Sequence, residues 1–196
     1  MIKEIKKNIW QITFRFFGST VYLVRLREKN ILIDTSSFIN RLELKSSLKN
    51  LNLIPEDIDV VLLTHNHFDH TGNIKIFKNA KVYGSKEDFG KKILNTAFAL
   101  GTDEDLPESE RNVEGMFDLE KFDLKEFRVI EVPGHTKGSV VFYMPKEKVL
   151  FSGDHIFLNG YIGRTDLPNS EPEKMKESLE KMKKLNYEIL CPGHEY

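Results

Sequence analysis

The sequence predicts a single α/β domain, and three observations lead to this fold class. Short apolar runs of strand length alternate along the chain with segments in which apolar residues recur at helical spacing. With 196 residues, of which 40% are hydrophobic, the chain can build a full core without disulfides. No linker, repeat or low-complexity tract divides it, so we expect residues 1–196 to form one domain.

The first part of the chain is rich in strand patterns. Alternating apolar residues on both sides of the turn at Gly18-Ser19 predict a hairpin: Trp10, Ile12, Phe14 and Phe16, then Val21, Leu23 and Leu26. Further strands are predicted at 30–34 and 58–63, and the second is apolar throughout, as in a strand buried on both faces. Between them a helix carries Leu44, Leu48 and Leu51, and Pro55 closes it.

The second part alternates strands with two predicted helices. We expect strands at 81–83, 127–132, 139–144, 148–151 and 187–191. One helix carries Phe89, Ile93 and Ala97, and a polar loop follows at 102–112. The other begins near Ser170, where Ser170 and Glu173 have capping-box spacing, and buries Met175, Leu179 and Met182.

Charge and cysteine content exclude several classes of protein. The 29 basic and 30 acidic residues leave a net charge of −1, which gives no field to attract nucleic acid or an acidic membrane surface. A single cysteine, Cys191, excludes an internal disulfide and a cysteine-built zinc finger. No run of 18 apolar residues and no signal peptide is recognisable. We therefore expect a cytoplasmic protein, with an oligomeric state that the sequence leaves open.

The most informative motif follows the apolar strand at 58–63. Residues 65–70 read H-x-H-x-D-H and contain His65, His67, Asp69 and His70. Imidazole and carboxylate groups are ligands for divalent metals such as zinc. His65 and His67 are two residues apart and can hold one ion together, because such residues point the same way in extended backbone. Asp69 and His70 follow the turn and are placed to reach a second ion.

Three further candidates come directly after predicted strands. His135 lies in P-G-H, Asp154 in S-G-D and His194 in a second P-G-H. Each stands beside a glycine, which permits the tight turn that lets the backbone curl around a site. A single such tripeptide is usually only a turn, but four strand ends that deliver metal-binding residues predict a metal centre.

This order of residues resembles the signature of the metallo-β-lactamase-fold hydrolases over essentially the whole chain. The resemblance implies a four-layer αββα sandwich with two divalent metal ions at one edge of the packed sheets. It also implies the ligands: His65, His67 and His135 for the first ion, Asp69, His70 and His194 for the second, and Asp154 as a bridge. Zinc is the expected metal, with iron and manganese as alternatives.

The segment after Asp154 resembles one branch of this superfamily. Residues 160–168 read G-Y-I-G-R-T-D-L-P and resemble the G-R-T-D segment of compact glyoxalase II-like hydrolases and persulfide dioxygenases. Full-length glyoxalase II carries a C-terminal helical domain that helps to hold glutathione. This chain ends two residues after His194, so we expect that domain to be absent, which argues against glutathione thioesters as the natural substrate.

The resemblance implies hydrolysis of a thioester or an ester. We expect a hydroxide that bridges the two ions to attack the carbonyl group without a covalent intermediate, and Asp69 would orient it. Arg164 is the candidate for holding a substrate carboxylate, although an ion pair with Asp166 is an equal alternative. Tyr161 is a candidate pocket residue. Asp34 is a candidate for orienting a ligand histidine.

Other functions remain as alternatives. Persulfide dioxygenases bind one iron, here through His65, His135 and Asp154, and these ligands are compatible with that chemistry too. A metal-dependent nuclease is disfavoured by the balanced charge, and a non-enzymatic metal protein does not need an open site. His155 has no place in the family pattern, and we expect it either to serve packing, like Phe68 and Cys191, or to support a ligand residue from behind.

Overall fold

The computed structural model of the protein describes residues 1–89, the backbone of 117–118 and residues 123–195. Within these ranges the first sheet contains seven strands in chain order. They are β1 (Ile2–Lys6), β2 (Ile9–Ile12), β3 (Val21–Leu26), β4 (Lys29–Ile33), β5 (Val60–Leu62), β6 (Lys81–Gly84) and β7 (Phe117–Asp118). Strands β1 to β4 form an antiparallel meander, whereas β4 to β7 are parallel.

The second sheet has four strands in the described residues, in the spatial order β11-β10-β9-β8. They are β8 (Arg128–Glu131), β9 (Val140–Met144), β10 (Val149–Gly153) and β11 (Ile189–Pro192). Strands β10 and β11 are parallel, and the other pairs are antiparallel. The described α-helices are α1 (Arg41–Asn50), α2 (Phe68–Thr71), α3 (Lys86–Phe89) and α4 (Pro172–Lys183).

Three buried clusters define four layers. The largest lies between the two sheets and joins side chains such as Ile31 and Leu62 of the first sheet to Phe142 and Phe151 of the second. A second cluster packs the outer face of the first sheet against Leu44 and Leu48 of α1, and a third packs the second sheet against Met182 of α4. The order helix, sheet, sheet, helix confirms the predicted αββα sandwich.

Strand β5 is buried on both faces, as its continuous apolar sequence predicts. Val60 and Leu62 point into the cluster between the sheets, and Val61 points into the cluster beneath α1. Successive side chains of a strand face opposite sides, so a strand between two covered faces has no polar position. This strand leads directly into the histidine motif.

The N-terminal hairpin differs from the prediction at both ends. Strand β1 was not predicted, because its sequence IKEIK has few apolar residues and pairs only as the edge of the sheet. The strand predicted through Phe16 ends at Ile12. Beyond it the chain leaves the sheet toward the histidine motif, where the Ser19 amide donates to the Asp69 carbonyl. Phe16 and Phe17 are consequently exposed rather than buried.

One predicted helix cap and one predicted helix end were also wrong. Helix α4 begins after Glu171, not at a Ser170–Glu173 capping box, because the Ser170 hydroxyl donates instead to the His135 carbonyl at 2.7 Å. Helix α1 ends at Asn50, well before Pro55, because Asn52 adopts a positive φ of 58° and Leu53 closes the turn by bonding to Leu48.

Some predicted features lie outside the described residues. They are the part of the predicted helix that carries Ile93 and Ala97 and the polar loop at 102–112. Within the residues that the structure describes, none of the helices combines the length and the apolar character needed to cross a bilayer.

Candidate metal centre

The predicted site residues meet at one edge of the sandwich, where strands of both sheets end. The loop after β5 carries His65 and His67, and α2 carries Asp69 and His70. His135 follows β8, Asp154 follows β10 and His194 follows β11. Parallel strands such as β10 and β11 bring their carboxyl ends to the same edge, which explains why residues distant in sequence become neighbours.

Two glycines allow the loops to approach one another closely. Gly153 precedes Asp154, has a positive φ of 51°, and lies so close to Thr64 that a Cβ atom would collide with it. Gly193 precedes His194 and packs against the Asp154 carboxylate, where a Cβ atom would also collide. The glycines beside the candidate ligands are thus required by the backbone packing.

Three histidines form the first group of candidate ligand atoms. Nδ1 of His67 lies 3.1 Å from Nε2 of His65 and 2.9 Å from Nε2 of His135. A tetrahedral zinc ion with nitrogen ligands at about 2.0 Å keeps those nitrogens about 3.3 Å apart. The three ring nitrogens therefore already surround a space of the size that one ion needs.

A second group consists of Asp69, His70 and His194. Nε2 of His194 lies 3.1 Å from Oδ2 of Asp69, and Nε2 of His70 lies 4.0 Å from the same oxygen. The Asp154 carboxylate stands between the two groups. Its Oδ1 is 3.2 Å from Nε2 of His70, and its Oδ2 is 3.4 Å from His194 and 3.7 Å from His135.

Asp34 is hydrogen-bonded to one histidine of the second group, the contact that the hypothesis drawn from the sequence requires. It stands just after β4, and its Oδ2 accepts hydrogen bonds from Nδ1 of His70 and from the Thr64 hydroxyl, each at 2.8 Å. Its Oδ1 accepts from the Thr64 amide, also at 2.8 Å. With Nδ1 engaged in this way, Nε2 of His70 is left to face Asp154 and Asp69.

A backbone carbonyl fixes His135 in a similar way. Nδ1 of His135 donates to the carbonyl oxygen of Arg164 at 2.7 Å, which leaves Nε2 free to face His67. The Ser170 hydroxyl holds the His135 carbonyl at 2.7 Å. The segment after Asp154 therefore supports a histidine through its backbone, a role that the sequence does not reveal.

Asp88 is a buried positioning residue that sequence reasoning missed. Its Oδ2 accepts from the Asn66 amide at 3.1 Å and from the Thr136 hydroxyl at 2.7 Å, and its Oδ1 accepts from the Gly138 amide at 2.9 Å. It thereby ties the loop carrying His65 to the residue beside His135. Burial raises the pKa of Asp88, which these hydrogen bonds only partly offset. No motif distinguishes it from a surface acid of a short helix.

The first group of histidines is electrostatically suited to bind a cation. Burial, followed by repulsion from the neighbouring histidines, lowers the pKa of His65 well below its usual value. Burial and the proximity of His135 lower the pKa of His67 to about 4, and burial lowers the pKa of His135. All three rings are therefore neutral at pH 7, which is the form that binds a metal.

The second group carries an excess of negative charge. Burial lowers the pKa of His70, but attraction by Asp154, Asp34 and Asp69 outweighs it and raises the pKa well above its usual value. Against the same cost of burial, Asp154 and Asp69 raise the pKa of His194 to about 9. Without a metal these histidines hold protons in response to three buried carboxylates, and a cation would take the place of those protons.

The residues present fit a divalent metal centre. Nε2 of His70 and Oδ1 of Asp154 are buried and make no hydrogen bond to the described residues, although only 3.2 Å separates them. Buried polar atoms of this kind call for a partner. Three groups of ligand atoms, each within 4.8 Å of one another, occur here: His65, His67 and His135; His65, His70 and Asp154; and Asp69, His70 and His194.

The candidate centre opens into a cavity of about 610 Å³. Arg164 and Tyr161, the two predicted substrate-binding residues, both line it. The Arg164 guanidinium is bonded to the Asp166 carboxylate through two contacts of 2.9 Å, which is the alternative raised by the sequence. Tyr161 is two-thirds exposed, so it is not a packed core aromatic. Substrate binding by these two residues stays a prediction.

The three residues expected to serve packing are all buried. His155 is 1% exposed, its ring nitrogens make no hydrogen bond within the described residues, and burial lowers its pKa to about 4. Cys191 lies in the cluster between the sheets, and burial raises the pKa of its thiol. Phe68 is 2% exposed and stacks beneath Phe17, with ring centroids 5.9 Å apart.

The αββα sandwich and the histidine–aspartate centre at its edge are features of metal-dependent hydrolases. The chain belongs to the metallo-beta-lactamase superfamily, whose family model matches residues 14–194. The fold expected from the sequence resemblance is thereby confirmed.

Two relatives and one solved structure indicate which branch of the superfamily the chain resembles. The chain is 38% identical over 168 residues to the probable metallo-hydrolase MJ0296 of Methanocaldococcus jannaschii, which covers 84% of this chain and 70% of that protein. It is 33% identical to the hydroxyacylglutathione hydrolase GloC of Haemophilus influenzae, with 95% and 90% covered. The di-iron-bound form of TTHA1623 matches with a TM-score of 0.76 and 30% identity, covering 95% of this chain and 92% of that one. These relatives confirm the resemblance to the compact glyoxalase II-like branch.

Proposed function

We propose that this metal-dependent hydrolase holds two divalent ions and cleaves a thioester or an ester of a small-molecule acyl substrate. The observation that carries the proposal is the meeting of seven imidazole and carboxylate side chains, five of which line one cavity. A structural metal site is closed by its ligands, whereas this one adjoins open space large enough for a substrate.

The ligands divide between two ions. His65, His67 and His135 would hold the first ion, and Asp69, His70 and His194 would hold the second. Asp154 would bridge both, because its carboxylate lies 3.7 Å from His135 of the first group and 3.2 and 3.4 Å from His70 and His194 of the second. When bound, such ions lower the pKa of a water molecule to about 7 and polarise a substrate carbonyl.

Asp69 is the proposed catalytic residue. It lines the cavity, and attraction by His70 and a hydrogen bond from His194 outweigh its burial and lower its pKa, so that it is ionised at neutral pH. An ionised carboxylate only accepts hydrogen bonds, so Asp69 would take one from the attacking water and fix its orientation. No serine or cysteine nucleophile is needed, and Cys191 is too deeply buried to serve.

The choice of a thioester follows the relatives. The hydroxyacylglutathione hydrolase from Haemophilus influenzae covers 95% of this chain, so a thioester is the first substrate class to test. Zinc is the first metal to test, because imidazole and carboxylate ligands suit it. Iron follows, since TTHA1623 has a di-iron-bound form, and manganese is the third.

Metal analysis combined with a thioester assay tests the proposal. We expect two ions per chain, acetyl-thioester hydrolysis by the loaded protein, and loss of both the bridge and the activity in Asp154→Ala. Glu180→Ala, an exposed acid on α4, is the control and retains both. One iron per chain with oxygen consumption would establish the dioxygenase alternative instead. A trapped acyl-enzyme would contradict hydrolysis without a covalent intermediate.

A further inference from the structure

The cavity beside the candidate centre has a largely apolar wall. The described apolar and aromatic residues that line it include Phe17, Phe68, Phe157, Tyr161, Ile162 and Leu167. Phe17, Tyr161 and Ile162 are 57%, 66% and 47% exposed, respectively. Exposed apolar side chains that gather at a cavity, rather than singly over the surface, mark a binding surface.

We propose that the non-reacting part of the substrate is apolar and uncharged, an aliphatic or aromatic acyl group on a neutral thiol or alcohol. This inference rests on the proposed hydrolysis and adds the class of group that the cavity selects.

Phe17 contributes one side of this wall. The chain leaves the first sheet after Ile12, and the loop places the Phe17 ring against two residues of the site. Its centroid lies 5.9 Å from that of Phe68 and 5.8 Å from that of His194, with both pairs stacked. An aromatic ring supported from below and more than half exposed above offers a flat apolar surface directly beside a candidate ligand.

A short turn contributes another side. The backbone of Ile156 pairs with that of Ile162, and the Phe157 amide donates to the Tyr161 carbonyl at 2.9 Å. This pairing holds Tyr161 and Ile162 at the cavity. Because two backbone connections fix the turn, the apolar surface is part of a defined structure rather than of a loose loop.

The charges of the lining favour an uncharged substrate. Of the described residues that line the cavity, Arg164 is the only lysine or arginine, and Asp166 already neutralises it at two 2.9 Å contacts. The lining carboxylates Asp69 and Asp154 belong to the candidate metal centre. A glutathione conjugate, whose peptide part carries two carboxylates, would meet no unpaired lysine or arginine in this part of the lining.

Binding of inert analogues tests the inference apart from catalysis. The probes are ketones in which a methylene group replaces the thioester sulfur, with acyl chains of two, four and six carbons on one neutral hydroxyethyl group. On the zinc-loaded protein we expect the Kd, measured by calorimetry, to fall about three- to fourfold per added methylene until the cavity is full. Equal Kd values for all three analogues would overturn the proposal.

Substitutions in the cavity lining test whether its apolar residues cause the preference for longer acyl chains. Ile162→Ala and Tyr161→Ala should weaken binding of the six-carbon analogue about five- to twentyfold, and that of the two-carbon analogue less. Leu158→Ala is the matched control, since Leu158 is 60% exposed at the tip of the same turn and lies outside the cavity lining. A comparable loss in Leu158→Ala, or none in the other two, would refute the assignment.

Hydrolysis separates this inference from the function on which it rests. Cleavage of an acetyl thioester tests the function, whereas the dependence of kcat/KM on chain length and thiol tests the apolar preference. We expect the hexanoyl thioester of a neutral thiol to exceed hexanoyl-glutathione at least tenfold in kcat/KM. A preference for the glutathione thioester would refute the apolar preference but not the proposed hydrolysis. Absence of all cleavage, with ketone binding as expected, would refute the proposed hydrolysis but not the apolar preference.

Discussion

Oδ2 of Asp34 lies 2.8 Å from Nδ1 of His70, and both side chains are buried. This contact fixes which nitrogen of His70 faces the candidate metal centre. Asp34→Ala should weaken metal binding about 10- to 100-fold, because the ring loses the acceptor that orients it. Competition with a chromogenic chelator measures the affinity. The same affinity in Asp34→Ala and Glu180→Ala would show that Asp34 has no such role.

A second prediction concerns Asp88, which holds two loops of the site from outside. Asp88→Ala leaves the Asn66 and Gly138 amides and the Thr136 hydroxyl without their acceptor. We expect the free energy of unfolding to fall by about 2–4 kcal/mol, measured in urea. Glu87→Ala is the matched control, because Glu87 is the neighbouring acid and is exposed. Equal stability of the two variants would refute the role of Asp88.

Metal affinity should depend on pH, and the two histidines of the second group, His70 and His194, determine the direction of that dependence. The raised pKa of His70, and that of His194 at about 9, mean that protons occupy both rings at pH 7 in the metal-free protein. A metal binds the neutral ring, so affinity should increase as the pH rises from 6 to 9. Nitrogen-15 NMR of the metal-free protein checks the premise. Neutral rings for both histidines at pH 7 would contradict it.

How much of this site the sequence could predict depends on how far apart the interacting residues lie in the sequence. His65, His67, Asp69 and His70 lie within one short motif after an apolar strand, so their clustering is a local property and was predictable. His135, Asp154 and His194 were found because each follows a strand beside a glycine. The division of these residues between two ions followed from the family resemblance. Periodicity alone does not show which strands pair and therefore which residues meet.

The remaining features depend on contacts between distant segments. Asp88 resembles any acid of a short polar helix, and only the fold brings it to Asn66 and Thr136. Phe17 lies outside the alternating set that ends at Phe16, and only the departure of the chain from the sheet after Ile12 exposes it beside His194. Ser170 has capping-box spacing but bonds to the His135 carbonyl instead. In each case tertiary contacts override a local pattern.

The ion pair between Arg164 and Asp166 gives a prediction about substrate charge. Because the partner neutralises the guanidinium, Arg164→Ala should change kcat/KM for a carboxylate-bearing thioester by less than about twofold. Asp166→Ala frees the guanidinium and should raise that kcat/KM by up to about fivefold, while a neutral thioester is unaffected. Steady-state kinetics on this pair of substrates measures both. A loss of tenfold or more in Arg164→Ala would instead establish a carboxylate contact.

We propose that two ions, held by seven side chains at one edge of the sandwich, enable hydrolysis. The most direct test is a zinc titration of the metal-free protein, followed by acetyl-thioester hydrolysis. We predict no activity without metal, a maximum at two equivalents per chain, and complete loss on chelation. Full activity in the metal-free protein, or in Asp154→Ala, would contradict the claim.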